Sequence, residues 1–322
     1  MNERDRIAMI ARVLAGTGGG AAAGGTRATL PGVSLGIGDD AAVLDGAGTL
    51  VWTIDEQVEG VHFQRDLLSW RDVGFRSLMA AASDVAAMGG KPWCALCALV
   101  VPRDVDDAAL EAIATGQRDA ADELRAGVVG GNLSAGPALS MATTVLGRCG
   151  RAIQRRGAHV GDGIWLAGRV GLAAAGLRAV QGRSTDARLE PAIAAWKTPR
   201  ALVEAARAMG LLATAAIDVS DGLARDLGHL CEASGLAAVL DQAALLQDPG
   251  LLAAAEALGA DAIDLALHGG EDYALVATSA AALPGFRRIG QMREGQGMVL
   301  RTASAERLVE PRGFDHFALA PA

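Results

Sequence analysis

The chain has 322 residues, 51% of them hydrophobic, and carries a formal net charge of −8. Acids outnumber bases and no basic stripe interleaves with aromatics, which argues against a nucleic-acid surface. Mean hydropathy is +0.27, but no run of eighteen apolar residues occurs and the excess is mostly Ala and Val, so the composition describes helices packed tightly on a sheet and not a membrane protein.

Met1–Arg6 mixes acids and bases ahead of Ile7, Ile10, Ala11 and Leu14, which recur at helical spacing. The reading is a short amphipathic helix, no signal peptide, and a cytoplasmic protein. The Gly/Ala stretch 16–25 lacks G-x-G-x-x-G and trails a helix, so it is a linker or a mobile loop and not a dinucleotide fingerprint. Asp39 and Asp40 then sit between glycines and a strand at 41–44; a second strand covers 50–54 and a loop 55–63. Trp70–Met88 reads as a helix with Val73, Leu78, Ala82 and Val85 on one face and Gly89-Gly90 as its stop. Asp84 falls in its last turns, against the helix dipole, and needs a reason beyond the helix itself. A strand spans 93–101. Its Cys94 and Cys97 point to opposite faces, so this C-x-x-C is core packing; with four cysteines and no secretion signal, no disulfides are expected. A helix from about 106 to 126, stopped by Gly127, precedes Gly130-Gly131-Asn132 and a strand at 138–147.

The region 150–161 divides the chain into domains 1–150 and 151–322. Beyond it come a strand at 164–167, a helix at 200–209, a strand at 215–219, and a helix after Gly222 whose Leu223, Leu227, Leu230 and Cys231 share a face. Strands at 236–240, 273–278 and 287–291 complete an alternation of strands and helices, which is an α/β or α+β pattern.

Acids gather where these strands end: Asp39-Asp40, Asp55, Asp218 with Asp221, and Glu271-Asp272. Adjacent carboxylates repel, and unless protonated or solvated they need a cation; oxygen ligands without His or Cys select a hard one such as Mg²⁺. An isolated Gly-Asp-Asp is more often a solvated turn than a site, and Glu271-Asp272 alone reads equally as one. Recurrence at strand ends, where α/β folds bind ligands, points to one shared site. The chain has two lysines, Lys91 and Lys197. Gly90-Lys91 runs into Pro92, so there is no phosphate loop, and phosphates must be met by metals, Arg and backbone amides. His62 read alone is more often a packed or surface histidine than a ligand. The acids between 104 and 122 are the start and solvated face of a helix.

Six segments in register, Gly36–Val43, Val58–Phe63, Ser83–Gly89, Ile217–Leu223, Gly269–Tyr273 and Gly313–Phe317, resemble the thiamine-monophosphate kinase family of the aminoimidazole-ribonucleotide-synthetase-like superfamily. The resemblance implies a two-domain α/β (α+β) subunit whose amino-terminal sheet forms a dimeric barrel with a second copy. It implies ATP-dependent phosphorylation of thiamine monophosphate to thiamine diphosphate by Mg-assisted direct phosphoryl transfer. By matching position, Asp40, Thr53, Asp55, Asp84, Asn132, Asp218 and Asp221 would hold several Mg²⁺ ions, with Asp40, Asp84 and Asp218 carrying catalysis. Gly131, Asn132, Arg155 and Ser220 would meet ATP; His62, Glu271 and Phe314 would line the thiamine-phosphate pocket. The chain departs from the family pattern in three places. Asn132 stands where an Asp commonly follows the glycine pair, Ile54 removes a hydroxyl before Asp55, and Glu56-Gln57 replaces a commonly neutral pair. An amide oxygen at 132 ligates without charge, and Glu56 is a candidate to restore that charge. These departures keep two alternatives in view: a catalytically weakened nucleotide-binding protein of the same fold, or another ATP-using member of the superfamily.

Overall fold

The computed structural model describes residues 33–35, 42–46 and 48–314. The expected first helix, the 16–25 stretch, Asp39, Asp40 and the end of the last motif lie outside them. The described chain forms two sheets. In the first, β1 (Val33–Leu35), β2 (Ala42–Gly46), β3 (Gly48–Val58), β4 (Lys91–Val101), β5 (Gly127–Ala135) and β6 (Ser140–Cys149) lie in the order β1-β2-β3-β6-β4-β5. All neighbours are antiparallel except β4 and β5.

Between β3 and β4 runs α1 (Trp70–Ala87), and between β4 and β5 runs α2 (Asp107–Leu124). Ser69 caps α1 by accepting from the Asp72 N–H, and the Asp72 carboxylate accepts from the Ser69 N–H in return, a reciprocal box that fixes where the helix starts. The sequence pattern marks one apolar face on α1; the structure buries it on every side. Leu78, Met79, Ala82 and Val85 pack with Val51, Ala95 and Val145 of the first sheet. Ala86 and Ala87 pack with Ala216, Leu275 and Ala277 of the second. A helix buried on nearly every side belongs in an interior, and here that interior is shared by both halves of the chain.

The second sheet takes β7 (Gly163–Ala167), β8 (Ala215–Val219), β9 (Ala237–Asp241), β10 (Ala274–Ser279), β11 (Arg287–Arg293), β12 (Met298–Arg301) and β13 (Glu306–Val309), in the order β13-β12-β9-β11-β7-β10-β8. Around it lie α3 (Leu172–Gln181), α4 (Glu190–Lys197), α5 (Val203–Met209), α6 (Leu223–Ser234), α7 (Gln242–Leu245), α8 (Pro249–Leu258) and α9 (Ala262–His268). Although β8 is the last strand of the sheet, every residue of it is buried. Leu223 and Leu227 of α6 lie in one core with its Ile217 and Val219, while Ala86 and Ala87 of α1 lie in another with its Ala216.

Three local expectations change. Asp55 is in a strand and not a loop, because β6 pairs with β3 as far as Val58 and Ser140. The helix expected to stop at Gly127 closes instead at Arg125, whose φ of 52° is left-handed, and Gly127 opens β5. Helices form also at α3, α4, α8 and α9, where the sequence reading places none. Cys94, Cys97, Cys149 and Cys231 are free thiols, as expected. Among the described residues no helix is long and apolar enough to cross a membrane.

The two long helices of the first half touch through glycines. A Cβ on Gly116 would lie 2.0 Å from the Arg71 carbonyl oxygen, and one on Gly74 would lie 2.0 Å from that of Ile113. Alanine is the better helix former by about 1 kcal/mol, yet Gly116→Ala is expected to destabilise the protein by about 2 kcal/mol, because backbone cannot yield as a side chain can. Denaturant unfolding decides: a Gly116→Ala variant as stable as wild type would contradict the close helix approach.

Candidate active site

The site is built where α1 passes the carboxyl end of β8. Ser83 and Asp84 are consecutive on α1 and point to different partners. The buried Ser83 hydroxyl donates to Asp218 Oδ2 at 2.7 Å, and the Thr53 hydroxyl of β3 donates to Asp84 Oδ2 at 2.5 Å. One turn of helix thereby gathers Thr53 from the first sheet and Asp218 from the second. Asp84, unfavourable to its own helix, is accounted for by this contact. Asp55 is two residues along β3 from Thr53, on the same face of the sheet. Burial pushes its carboxyl up to about 6, against hydrogen bonds from the Glu56 N–H and Gln57 and the positive charge of Arg76.

After β8 the chain turns through Ser220, Asp221 and Gly222, the last at φ 124°, into α6. The turn is held by a residue that sequence reasoning missed. Asp226 Oδ2 accepts from the N–H groups of Ser220, Asp221 and Gly222 at 3.0, 3.0 and 3.1 Å. Burial raises its pKa well above the ordinary carboxylate value, and the charges of Asp221 and Asp218 push the same way; Arg155 opposes them. An acid in the first turn of a helix is what the dipole favours, so Asp226 carries no signal in the sequence that sets it apart.

A second loop, 269–273, lies against this turn. The Glu271 N–H donates to the Ser220 carbonyl at 2.7 Å and the Tyr273 N–H to that of Val219 at 2.8 Å. Glu271 and Tyr273 are both left-handed, at φ 62° and 49°, a conformation non-glycine residues adopt only when their surroundings enforce it. Asp272 accepts from the Gly171 and Ala173 N–H groups at the start of α3, and burial nevertheless raises its pKa to about 7. The exposed Phe314 is tied in through its N–H, which donates to the Asp221 carbonyl at 3.1 Å. The half-buried His62 closes a turn after β3. Its Nδ1 accepts from the Val58 N–H at 3.0 Å, which leaves the proton of the neutral ring on Nε2.

Thr53, Asp84, Asp218, Ser220, Asp221, Glu271 and Phe314 are thus linked by direct bonds or short backbone steps, and the Arg155 charge is felt at Asp226 beside them. Asn132 and Gly131 are not brought to them within one chain. Register places Gly131, Cys97, Thr143 and Asp55 in one row across β5, β4, β6 and β3, with Asn132, Ala98, Ala142 and Glu56 in the next. Asn132 therefore faces away from Asp55 and stands three strand spacings, about 14 Å, from Glu56. In a single chain that distance rules out Glu56 as a replacement for charge missing at 132. Gly131 has a reason of its own to be glycine, since a Cβ there would lie 1.9 Å from the Cys97 carbonyl oxygen. Among the described residues no three His, Cys, Asp or Glu side chains form a ready metal cluster. Asp40 lies outside them.

Residues 38–149 match the family described as AIR synthase related protein, N-terminal domain. The thiamine-monophosphate kinase of Mycobacterium tuberculosis (strain ATCC 25618 / H37Rv) is 38% identical over 274 residues, 83% of this chain and 82% of that protein. The chain belongs to the thiamine-monophosphate kinase family. The Escherichia coli (strain K12) member is 36% identical over 307 residues, 89% of this chain and 93% of its own. The solved structure described as AaThiL complexed with AMPPCP and TMP superposes with a TM-score of 0.87 at 29% identity, covering 98% of this chain and 97% of that one. The family fold is therefore present along nearly the whole chain, including both halves of the site.

All three bonds to Asp226 end on one oxygen, which an amide can also supply. Asp226→Ala is expected to cost about 2 kcal/mol by leaving buried N–H groups unpaired, whereas Asp226→Asn keeps the acceptor, sheds an unfavourable buried charge and costs less than half as much. Equal losses in the two variants, measured by denaturant unfolding at pH 7, would show that the charge and not the acceptor holds the turn.

Proposed function

We propose that this protein uses ATP to phosphorylate thiamine monophosphate to thiamine diphosphate by direct phosphoryl transfer, with Mg²⁺ held by its carboxylates. The observation that carries the reading is the join at α1, where the Thr53–Asp84 and Ser83–Asp218 contacts bring an acid of the helix and an acid of the second sheet to one place beside Thr53 of the first. A relative of the same fold holds AMPPCP, an ATP analogue, together with TMP.

The donor set fits a hard divalent ion. Asp84, Asp218, Asp221 and Asp55 offer oxygen alone, and Asp218 and Asp221 lie close enough to raise the pKa of Asp226. In this reading Asp55, Asp84, Asp218 and Asp221 hold Mg²⁺, with Thr53 beside them and Asp40 completing the set. When bound, Mg²⁺ neutralises the charge of two polyanions brought together and aligns their oxygens. The chain's own residues do the rest. Arg155 and Ser220 receive the nucleotide phosphates. His62, Glu271 and Phe314 surround the acceptor, the Phe314 ring lying against its cationic heterocycle. The acceptor phosphate is ionised near neutral pH, so no strong general base is required, and positioning supplies most of the rate.

The reading includes a homodimer. Trp52, Ile54, Trp93 and Leu96 are exposed on the first sheet, whose outer strand β5 is exposed along nearly its whole length. A second copy covering this apolar face would remove both liabilities. Asn132 and Gly131 are on β5, so any part they take in binding ATP is set by what meets that strand.

Purified protein incubated with Mg-ATP and thiamine monophosphate is expected to release ADP and thiamine diphosphate in equal amounts; ADP without thiamine diphosphate would overturn the proposed acceptor. Asp84→Asn is expected to lower turnover by about 100-fold or more while the fold survives, since it removes charge where charge is needed in the transition state. Phe314→Ala should raise the KM for thiamine monophosphate by about tenfold and leave that for ATP unchanged, because the ring serves binding. A KM effect on ATP instead would move Phe314 to the other substrate.

A further inference from the structure

Arg76 is on α1 two turns before Asp84, and its side chain is 1% exposed. A guanidinium withdrawn this far from water must be paired on several sides to remain charged and ordered. Its Nη2 donates to Glu271 Oε1 and its Nη1 to the Trp196 carbonyl, while its Cζ lies 5.5 Å from the centre of the Trp196 ring. The Trp196 indole Nε1 donates to the second oxygen, Glu271 Oε2, at 2.8 Å. One carboxylate is therefore clamped at both oxygens by residues from α1 and α4, 195 and 75 positions away in the chain.

Two further observations distinguish this clamp from ordinary core pairing. Glu271 occupies the left-handed region at φ 62°, so its backbone is held in a costly conformation where the clamp sits. Its side chain also keeps 26% exposure, so part of the fixed carboxylate still faces outward. Each carboxylate oxygen has two acceptor positions, and Arg76 and Trp196 use one on each. The remaining positions point in directions set by the clamp.

We infer that Arg76 and Trp196 are positioning residues for the phosphate acceptor: they hold Glu271 as an oriented, charge-paired hydrogen-bond acceptor for the amino-heteroaromatic end of the substrate. The inference rests on the reading of Glu271 as part of the acceptor pocket. It adds that recognition there depends on direction and not on net charge, because Arg76 cancels the carboxylate. A substrate group that donates N–H bonds fits such an acceptor. A group offering only positive charge gains little from it.

The test uses the full chain, thiamine monophosphate and Mg-ATP. Trp196→Phe keeps an aromatic ring under Arg76 and removes only the indole donor, so it is the variant expected to fold; Arg76→Lys keeps the charge without the fork. Trp196→Phe is expected to raise the KM for thiamine monophosphate about tenfold, with the ATP KM unchanged and kcat altered less than about threefold. Arg76→Lys should raise it too, and Arg76→Met should raise it further, since a lysine replaces the charge but not the geometry. In a Glu271→Gln background Trp196→Phe should add nothing, because both act through the same carboxylate. An acceptor KM unmoved by Trp196→Phe, or effects that add in the double variant, overturns the inference. A wild-type protein without any turnover of thiamine monophosphate overturns the functional reading itself, which separates the two failures.

Discussion

The short hydrogen bonds made by two consecutive residues of α1, Ser83 to Asp218 and Asp84 to Thr53, depend on a helix that sits between two sheets. Small side chains make that possible. Ala80–Ala82, Ala86 and Ala87 are all buried, and a bulkier residue at these positions would hold one sheet or the other away. Gly74 and Gly116 permit the second long helix to press on the same element from outside. The glycines, the alanines and the two polar contacts thus form one constraint. It sets the distance between the acids of the first half and those of the second.

The electrostatics follow from that geometry. Folding brings Asp218, Asp221 and Asp226 together beside Asp84, with Arg155 and Arg225 as partial counter-charges, and it brings Asp55 and Glu271 within reach of the Arg76 charge. Where a guanidinium is available, as at Glu271, the carboxylate is locked. Where none suffices, burial and neighbouring charge drive the carboxyls toward protonation, and Asp55 rises to about 6. A protein that gathers this many carboxyl groups in one place is stabilised by a cation that binds among them.

Much of this was legible in the sequence because strand ends are where acids are costly unless they have a use. Asp55, Asp84, Asp218 and Asp221 each broke a local expectation, and the structure joins Asp84, Asp218 and Asp221 with Thr53 at one site, with Asp55 on the same face. Asp226 and Arg76 broke none that could be read. Asp226 looks like an ordinary helix-start acid, and Arg76 like a charge on the solvent side of α1, because the sequence pattern marks a single apolar face on that helix. Trp196 lies in α4, where the sequence reading places no helix. The relation of Asn132 to Glu56 depends on strand order. That order, β3-β6-β4-β5, is long-range information: it places β6 and β4 between them, and of these only β4 lies between them in sequence.

The central claim is that the acids gathered by α1 form a cation site shared by the two halves of the chain, and thermal unfolding with and without Mg²⁺ tests it most directly. Ion binding to the folded state adds about 2.7 kcal/mol at a hundredfold excess over the dissociation constant, enough to move the midpoint by several degrees. The account predicts that wild-type protein gains this stability with Mg²⁺, whereas Asp218→Asn loses the response and is no less stable than wild type in its absence. A wild-type midpoint indifferent to Mg²⁺, or an Asp218→Asn variant that responds as wild type does, would contradict it.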